Sequence, residues 1–215
     1  PDSIFLDGAE GGTGAGPHLA TEETGIPLMA AIPEARRALE DVGLVDEVDL
    51  VVAGGIRNGG DVAKCLALGA KACAIGTAAL MALNCNKHIE GVTDYEGTIG
   101  VPAGECYHCH TGRCPVGIAT QDVELRARLD IEEAALRVYN FLHTLTMEVQ
   151  LLARACGKTN IHNLEPEDLA ALTHEASAMA KVPLAGTTYI PGVSEERALA
   201  EMKEMLAKQI AGSGS

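Results

Sequence analysis

Three cysteines stand within nine residues in the run "ECYHCHTGRCPVGIATQ" at 105–121, and a proline follows the last of them. Two residues separate Cys106 from Cys109 and four separate Cys109 from Cys114. Thiolates are soft ligands, and a short cysteine loop can wrap an iron–sulfur cluster with its backbone N–H groups turned to the sulfurs. The same three cysteines, completed by His108, His110 or Cys85, could equally make a tetrahedral zinc site. Spacing alone does not separate the two. A second kind of chemistry belongs to glycine. "AGGIR" at 53–57 and "AIGT" at 74–77 each follow a short apolar run, and about one βα unit separates them. Glycines at the C-terminal ends of parallel strands let backbone N–H groups approach an anion, and the next helix adds its dipole. In (βα)8 barrels the last two such loops often hold a phosphate. Gly54, Gly55 and Arg57 in the first loop, with Gly76 and Thr77 in the second, are the candidate cofactor-binding residues. A third loop, "DGAEGGTGAGP", carries five glycines between Gly8 and Gly16, more than a turn needs. Glu10, Thr13 and His18 are its polar contributions, with His18 read as a surface histidine rather than a base. No catalytic residue is assigned. None of these runs matches G-x-G-x-x-G cleanly, which argues against a dinucleotide-binding turn.

Such loops need strands behind them. Apolar runs at 3–6, 50–53 and 72–75 read as short strands, the second of them buried and without polar alternation. Between the last two, Asp61 is expected to cap a helix running to Leu68, with Gly69 ending it. Strand, glycine turn, helix, strand, glycine turn, helix describes parallel βα units. Beyond them, residues 84–120 are rich in glycine and cysteine with little periodicity, and residues from 121 onward are mainly helical. Leu136, Tyr139, Leu142, Leu145, Val149 and Leu152 recur at helical spacing between 132 and 155. They are expected to form one packing face against the outside of the sheet or a partner, with His143 and Met147 in the core. "SEERALAEMKEMLAKQI" reads as a second amphipathic helix, and the closing "GSGS" as a flexible tail.

Composition narrows the classes. The chain is 47% hydrophobic, enough for a sizeable core, and carries a net charge of −14. That acidity argues against nucleic acid and anionic membrane as partners. No run of about 18 apolar residues is present to span a bilayer, and no charged segment followed by an apolar one opens the chain as a secretory signal would. The chain opens without Met, as expected of a processed chain or an excerpt of a longer one. Seven cysteines are an odd number, and Cys65, Cys73 and Cys156 lie in apolar, alanine-rich surroundings. They read as small hydrophobes in a reducing, cytoplasmic compartment.

"GAEGGTGAGP", "VVAGGIRNGGDVAKCLALGAKACAIGTAALMALNC" and "CHTGRCPVGIATQDVELRARL" together resemble the FMN-binding, or synthase, region of the glutamate synthase large subunit. The resemblance runs from about Asp7 to Leu129 and is nearest to the short, archaeal-type form, whose helical extension is similar to "FLHTLTMEVQLLARACGKTNIHNLEPEDLAAL". The glycine loops are shared with other FMN barrels, such as 2-hydroxy acid oxidases; the cysteine run is far more specific. The resemblance implies an α/β chain: the C-terminal part of an FMN-binding (βα)8 TIM barrel at 1–83, an iron–sulfur cluster loop at 84–120 and a helical extension at 121–215. It implies reduction of 2-iminoglutarate, made from 2-oxoglutarate and glutamine-derived ammonia, to glutamate. Gly54, Gly55, Gly76 and Thr77 match the family's FMN phosphate loops, and Cys109 and Cys114 its last two cluster ligands. The family's first ligand follows an "ALG" helix end in the pattern C-x5-C-x4-C. Here that helix end carries Cys85, and a twenty-residue insertion precedes Cys106. Cys106 is therefore expected as first metal ligand in a three-iron cluster, with four irons if Cys85 binds as well. Only three strands are visible, so the rest of the barrel is expected from elsewhere, as is an electron-donor protein or an NAD(P)H-oxidising subunit. A related amino acid synthase with another amine donor, an electron-transfer subunit and a zinc-stabilised module are the alternatives.

Overall fold

The computed structural model describes residues 1–12, 17, 19, 23–85, 89, 93–94, 97, 106, 108–196, 199–200 and 203. Its centre is β2, Asp49–Ala53, a run of Leu, Val and Val that suits a strand buried on a pleated surface. It pairs in parallel with β1, Ser3–Asp7, on one side and with β3, Ala72–Ala74, on the other. Register places Leu6, Val52 and Cys73 in one row and Phe5, Val51 and Ala72 in the next. Side chains alternate across a sheet, so these rows face opposite ways. Val52 is buried, with Leu6 and Cys73 half-buried beside it, whereas Phe5 is 61% exposed. One face is covered and the other is open.

Parallel neighbours require crossovers. α1, Leu28–Asp41, joins β1 to β2, and α2, Gly59–Ala67, joins β2 to β3. Both lie on the covered face, where Leu28, Ile32, Leu50, Val52, Val62 and Leu66 share one core. A short helix, α3 at Thr77–Ala82, follows β3. After the cysteine segment come α4, Val123–Arg126, the long α5, Ile131–Ala155, and α6, His174–Ala180. No helix among the described residues is long and apolar enough to cross a membrane.

Three expectations change. The cap of α2 is Asn58, whose side-chain oxygen accepts from the Asp61 N–H at 3.0 Å. Gly59 and Gly60 are already helical, so Asp61 falls one turn too late to cap and instead accepts from the Arg57 N–H at 3.0 Å. The apolar stripe of α5 does not form one packed face. Leu145, Val149 and Ala153 are buried against α2, with Ala134 near the start, while Leu136, Tyr139, Leu142 and Leu152 are exposed. His143 is exposed too and stacks on Tyr139 at 5.7 Å, and Met147 is exposed rather than core. The cause is length: α5 has 25 residues and α2 has nine, so much of α5 runs past its support. Third, Cys156 caps the C-terminus of α5 and is exposed. Cys65 and Cys73 do lie in or against the core. The helix expected at 194–210 and the tail at 212–215 fall largely or wholly outside the described residues.

α5 docks through Gly59. A Cβ there would lie 2.7 Å from the Leu145 carbonyl oxygen and 2.9 Å from the Val149 nitrogen, both backbone atoms of α5. Backbone cannot step aside as a side chain can. Gly59→Ala should therefore destabilise the protein by about 1–3 kcal/mol despite its better helix propensity. Thermal unfolding checks this: Tm should fall, whereas Gly60→Ala should have a much smaller effect, its nearest contact being the Asn58 side-chain oxygen at 3.1 Å.

Candidate functional site

All three parallel strands end at the same edge of the sheet, so the loops after them must meet there. They enclose an open cleft of about 820 Å³. β1 and its loop contribute Phe5, Asp7, Glu10, Gly11 and Gly12; the β2 loop contributes Gly54, Gly55 and Arg57; the β3 loop contributes Gly76 and Thr77. The five residues expected to bind a cofactor therefore line one cavity. Two of the loops are locked together. The Gly8 N–H donates to the Ala53 carbonyl at 2.9 Å. Gly54 and Gly55 have φ of +114° and +66°, open to glycine at little cost. A Cβ on Gly54 would stand 3.1 Å from the Gly8 nitrogen, and one on Gly55 2.9 Å from the Glu10 Cβ.

The two helix N-termini differ. At α2 the early amides are already taken by side chains: Asp61 accepts from Arg57 and Asn58 from Asp61. Glu148, from α5, accepts from the Gly59 N–H at 2.7 Å. At α3 the cap residue is Gly76, and no side chain caps it. Nothing lies within 4 Å of where a Gly76 Cβ would stand. An anion entering the cleft meets a satisfied helix end on one side and an uncapped one on the other. Arg57 is exposed at the mouth and only loosely paired, its Nε 3.6 Å from the Asp61 carboxylate. Glu10 plays a second part, accepting from the Leu28 N–H at 3.0 Å and so closing an α1 terminus whose own cap, Pro27, has no side-chain acceptor. Thr13 and His18 lie outside the described residues.

Two wall residues were not foreseen. Phe141 of α5 reaches the cleft, so the helical extension supplies part of its wall and does not only brace its exterior. Met81 of α3 joins it. The chain has only two phenylalanines, Phe5 and Phe141, and both line this cavity. That scarcity was the available signal.

The cysteine run folds on local bonds. His108–His110 makes a single 3-10 turn that carries Cys109. The Thr111 hydroxyl donates to the His108 carbonyl at 2.9 Å and accepts from the Arg113 N–H at 3.2 Å. The Thr120 hydroxyl donates to the Gly112 carbonyl, and the Arg128 guanidinium to the Pro115 carbonyl at 2.8 Å. Cys114 is buried with Val116 and Ile89 in a small cluster separate from the main core. Cys109 is exposed, Cys106 half-buried and His110 exposed. Cys85 is half-buried just past the end of α3, its N–H donating to the Leu80 carbonyl at 3.0 Å beyond a left-handed Asn84. Burial pushes the Cys85 thiol up, and the nearby Cys109, Cys114 and Cys106 sulfurs add to the rise. Among the described residues, however, no three His, Cys, Asp or Glu side chains form a cage around a single ion. The donor set suits a cluster in kind: its thiols are soft, and cluster cysteines each bind a different iron, which spreads them wider than ligands of one zinc. Cys65 and Cys73 form a separate pair; a hydrogen bond to the Cys73 sulfur, with burial, pushes the Cys65 thiol up.

Residues 1–159 match the family model described as the conserved region in glutamate synthase. The chain is 53% identical over 192 residues to a glutamate synthase large subunit-like protein of Rhizobium meliloti, covering 89% of this chain and 43% of that protein. It is 40% identical over 163 residues to an archaeal glutamate synthase (NADPH) of Methanocaldococcus jannaschii, covering 76% of this chain and 28% of that one. An archaeal-type glutamate synthase (NADPH) of Thermotoga neapolitana is likewise 40% identical over 163 residues, 76% of this chain and 29% of its own. The chain thus spans less than half the length of these relatives. With the family model covering both the glycine loops and the cysteine run, the chain belongs to the glutamate synthase family.

Proposed function

We propose that the cleft holds the phosphate end of FMN, that Cys106, Cys109 and Cys114 hold an iron–sulfur cluster, and that the whole protein reduces 2-iminoglutarate to glutamate. The observation that carries this is the meeting of three glycine loops at the C-terminal edge of a parallel sheet, where α/β folds bind ligands. Gly54 and Gly55 bring backbone close to the ligand, Gly76 and Thr77 offer it an uncapped helix start, and Arg57 can turn its charge toward a phosphate. Phe5, Met81 and Phe141 give the cleft apolar walls suited to a flat ring. Hydride delivery to C2 of the imine is the chemistry that bound FMN supplies, with electrons reaching it by way of the cluster. The chain's own part is to bind, orient and partly cover.

The same reading makes residues 1–83 the C-terminal βα units of a (βα)8 barrel, 84–120 the cluster loop and 121–215 the helical extension. The open sheet face supports it. Phe5, Val51 and Ala72 lie where a closed barrel packs its interior. Partners follow from the proposal: the remaining barrel strands, a source of 2-oxoglutarate and ammonia, and a protein or subunit that donates electrons.

Expression of residues 1–215 alone, and together with a polypeptide supplying the earlier strands, tests this. The lone chain should retain FMN weakly, since most of the cofactor's surface would stay in water, and should turn over 2-oxoglutarate with ammonia negligibly. The pair should retain FMN firmly and turn the substrates over. Turnover by the lone chain at the rate of the pair would show that the barrel reading is wrong.

A further inference from the structure

We propose that the outward stripe of α5 is a self-association surface, on which a second copy of this chain lays its own α5 antiparallel about a two-fold axis at His143. The helix carries two stripes. At about 100° per residue, Ala134, Leu145, Val149 and Ala153 gather on one side, and these are its buried residues. Leu136, Tyr139, His143, Met147 and Leu151 are spaced three, four, four and four apart and gather on the side roughly opposite. All five are exposed, and the four other than His143 are each more than half open to solvent. Packing on α2 needs only the first stripe. The second is a continuous apolar face of the kind that marks an interaction site. Its middle is ordered: the Tyr139 and His143 rings stack with 7° between their planes and 5.7 Å between centroids, a flat platform for a facing helix.

Charge and register select the occupant. With a net charge of −14, two copies repel unless the faces that meet are balanced. This face is bounded by Glu132 at one end and Arg154 at the other, both exposed and in no ion pair among the described residues. Glu133 beside it is already paired with Arg137. Glu132 and Arg154 each lie 11 positions from His143, and Tyr139 and Met147 each lie four. An antiparallel copy therefore sets Glu132 against the second copy's Arg154 at both ends. It sets Tyr139 against the second copy's Met147 on both sides of the axis, where sulfur meets an aromatic ring favourably. Leu136 then falls between the second copy's Met147 and Leu151, as a knob falls into a hole. A parallel pair would instead put Glu132 on Glu132 and Arg154 on Arg154. A closed two-fold contact needs a self-complementary patch, and α5 is one. A single helix pair about 37 Å long makes a small interface, so the dimer should be concentration-dependent. Neither flavin nor cluster enters the argument.

The test is analytical ultracentrifugation of the full-length protein from about 1 to about 100 µM, a range that brackets a weak specific dimer. The wild type should pass from monomer to dimer across it. Glu132→Arg and Arg154→Glu should each weaken the dimer roughly tenfold, because each turns two attractions into two repulsions. Mixed in equal amounts, the two variants should pair with each other about as well as the wild type pairs with itself, one presenting arginine at both ends of the stripe and the other glutamate. Met147→Asp should remain a monomer. The Tm of dilute protein should stay near that of the wild type in all three, since the side chains are exposed. If Met147→Asp does not fold, the two charge variants and their mixture decide. A wild type that is monomeric throughout would overturn the proposal and leave the stripe to another part of the polypeptide. A dimer indifferent to all three substitutions would overturn it too, as would one that the charge variants weaken without recovery in the mixture.

Discussion

Gly76→Asp is expected to leave the fold intact and weaken FMN binding by roughly 100-fold, equivalent to about 2.7 kcal/mol. Gly76 precedes α3 at the cap position, and its φ of −104° is on the side that any residue adopts. A Cβ there meets nothing within 4 Å. The ligand loses, because that carboxylate fills the space proposed for the phosphate and repels it. Two unit charges about 4 Å apart repel by about 4 kcal/mol near a protein surface; the exposure of this site reduces the figure. FMN retained through gel filtration and Tm of the apoprotein are the two readouts. Flavin loss at unchanged Tm supports the phosphate assignment, and Gly76→Ala should retain most of its flavin. Full retention in Gly76→Asp would mean that the β3 loop does not hold phosphate.

Cys109→Ser and Cys114→Ser should each remove nearly all the iron and open residues 84–120 to protease. The physical basis is how little else holds that segment. Its described core is Ile89, Cys114 and Val116, packed only by Ile118 and Ala119, and it is separate from the main core. The hydrogen bonds of Thr111 and Thr120 shape the cysteine turn, yet most close short loops within the turn itself. When so few apolar groups are buried, metal binding supplies much of the folding free energy. Cys114 should be the more damaging of the two, since it also fills a buried position that serine would occupy with an unpaired hydroxyl. Iron analysis and limited proteolysis read the outcome. Unchanged iron with unchanged protease resistance in both variants would remove these cysteines from the ligand set.

The parallel βα plan was legible because it is local. Uninterrupted apolar runs, glycine turns and helical spacing each act over a few residues, and all three strands lie within a residue or two of where the sequence puts them. Family membership was legible as well, carried by the glycine loops and by the cysteine run, whose threonines and glycines fold it by bonds spanning two to eight residues. What sequence could not settle were contacts made at a distance. Both Asn58 and Asp61 are fit to cap α2, and the helix phase set by Gly59 and Gly60 chose Asn58. Glu148 caps the same helix across 89 residues, which no local pattern announces. The stripe on α5 promised one buried face, but periodicity gives a direction and not the extent of the partner; α2 is too short to cover it. Phe141 lines the cleft for the same reason, because the docking of α5 on Gly59 decides where that side chain arrives. Cys85 is the sharpest case. In sequence it is 21 positions from Cys106, and only the folded chain shows that it lies half-buried just past α3, after a tight left-handed turn.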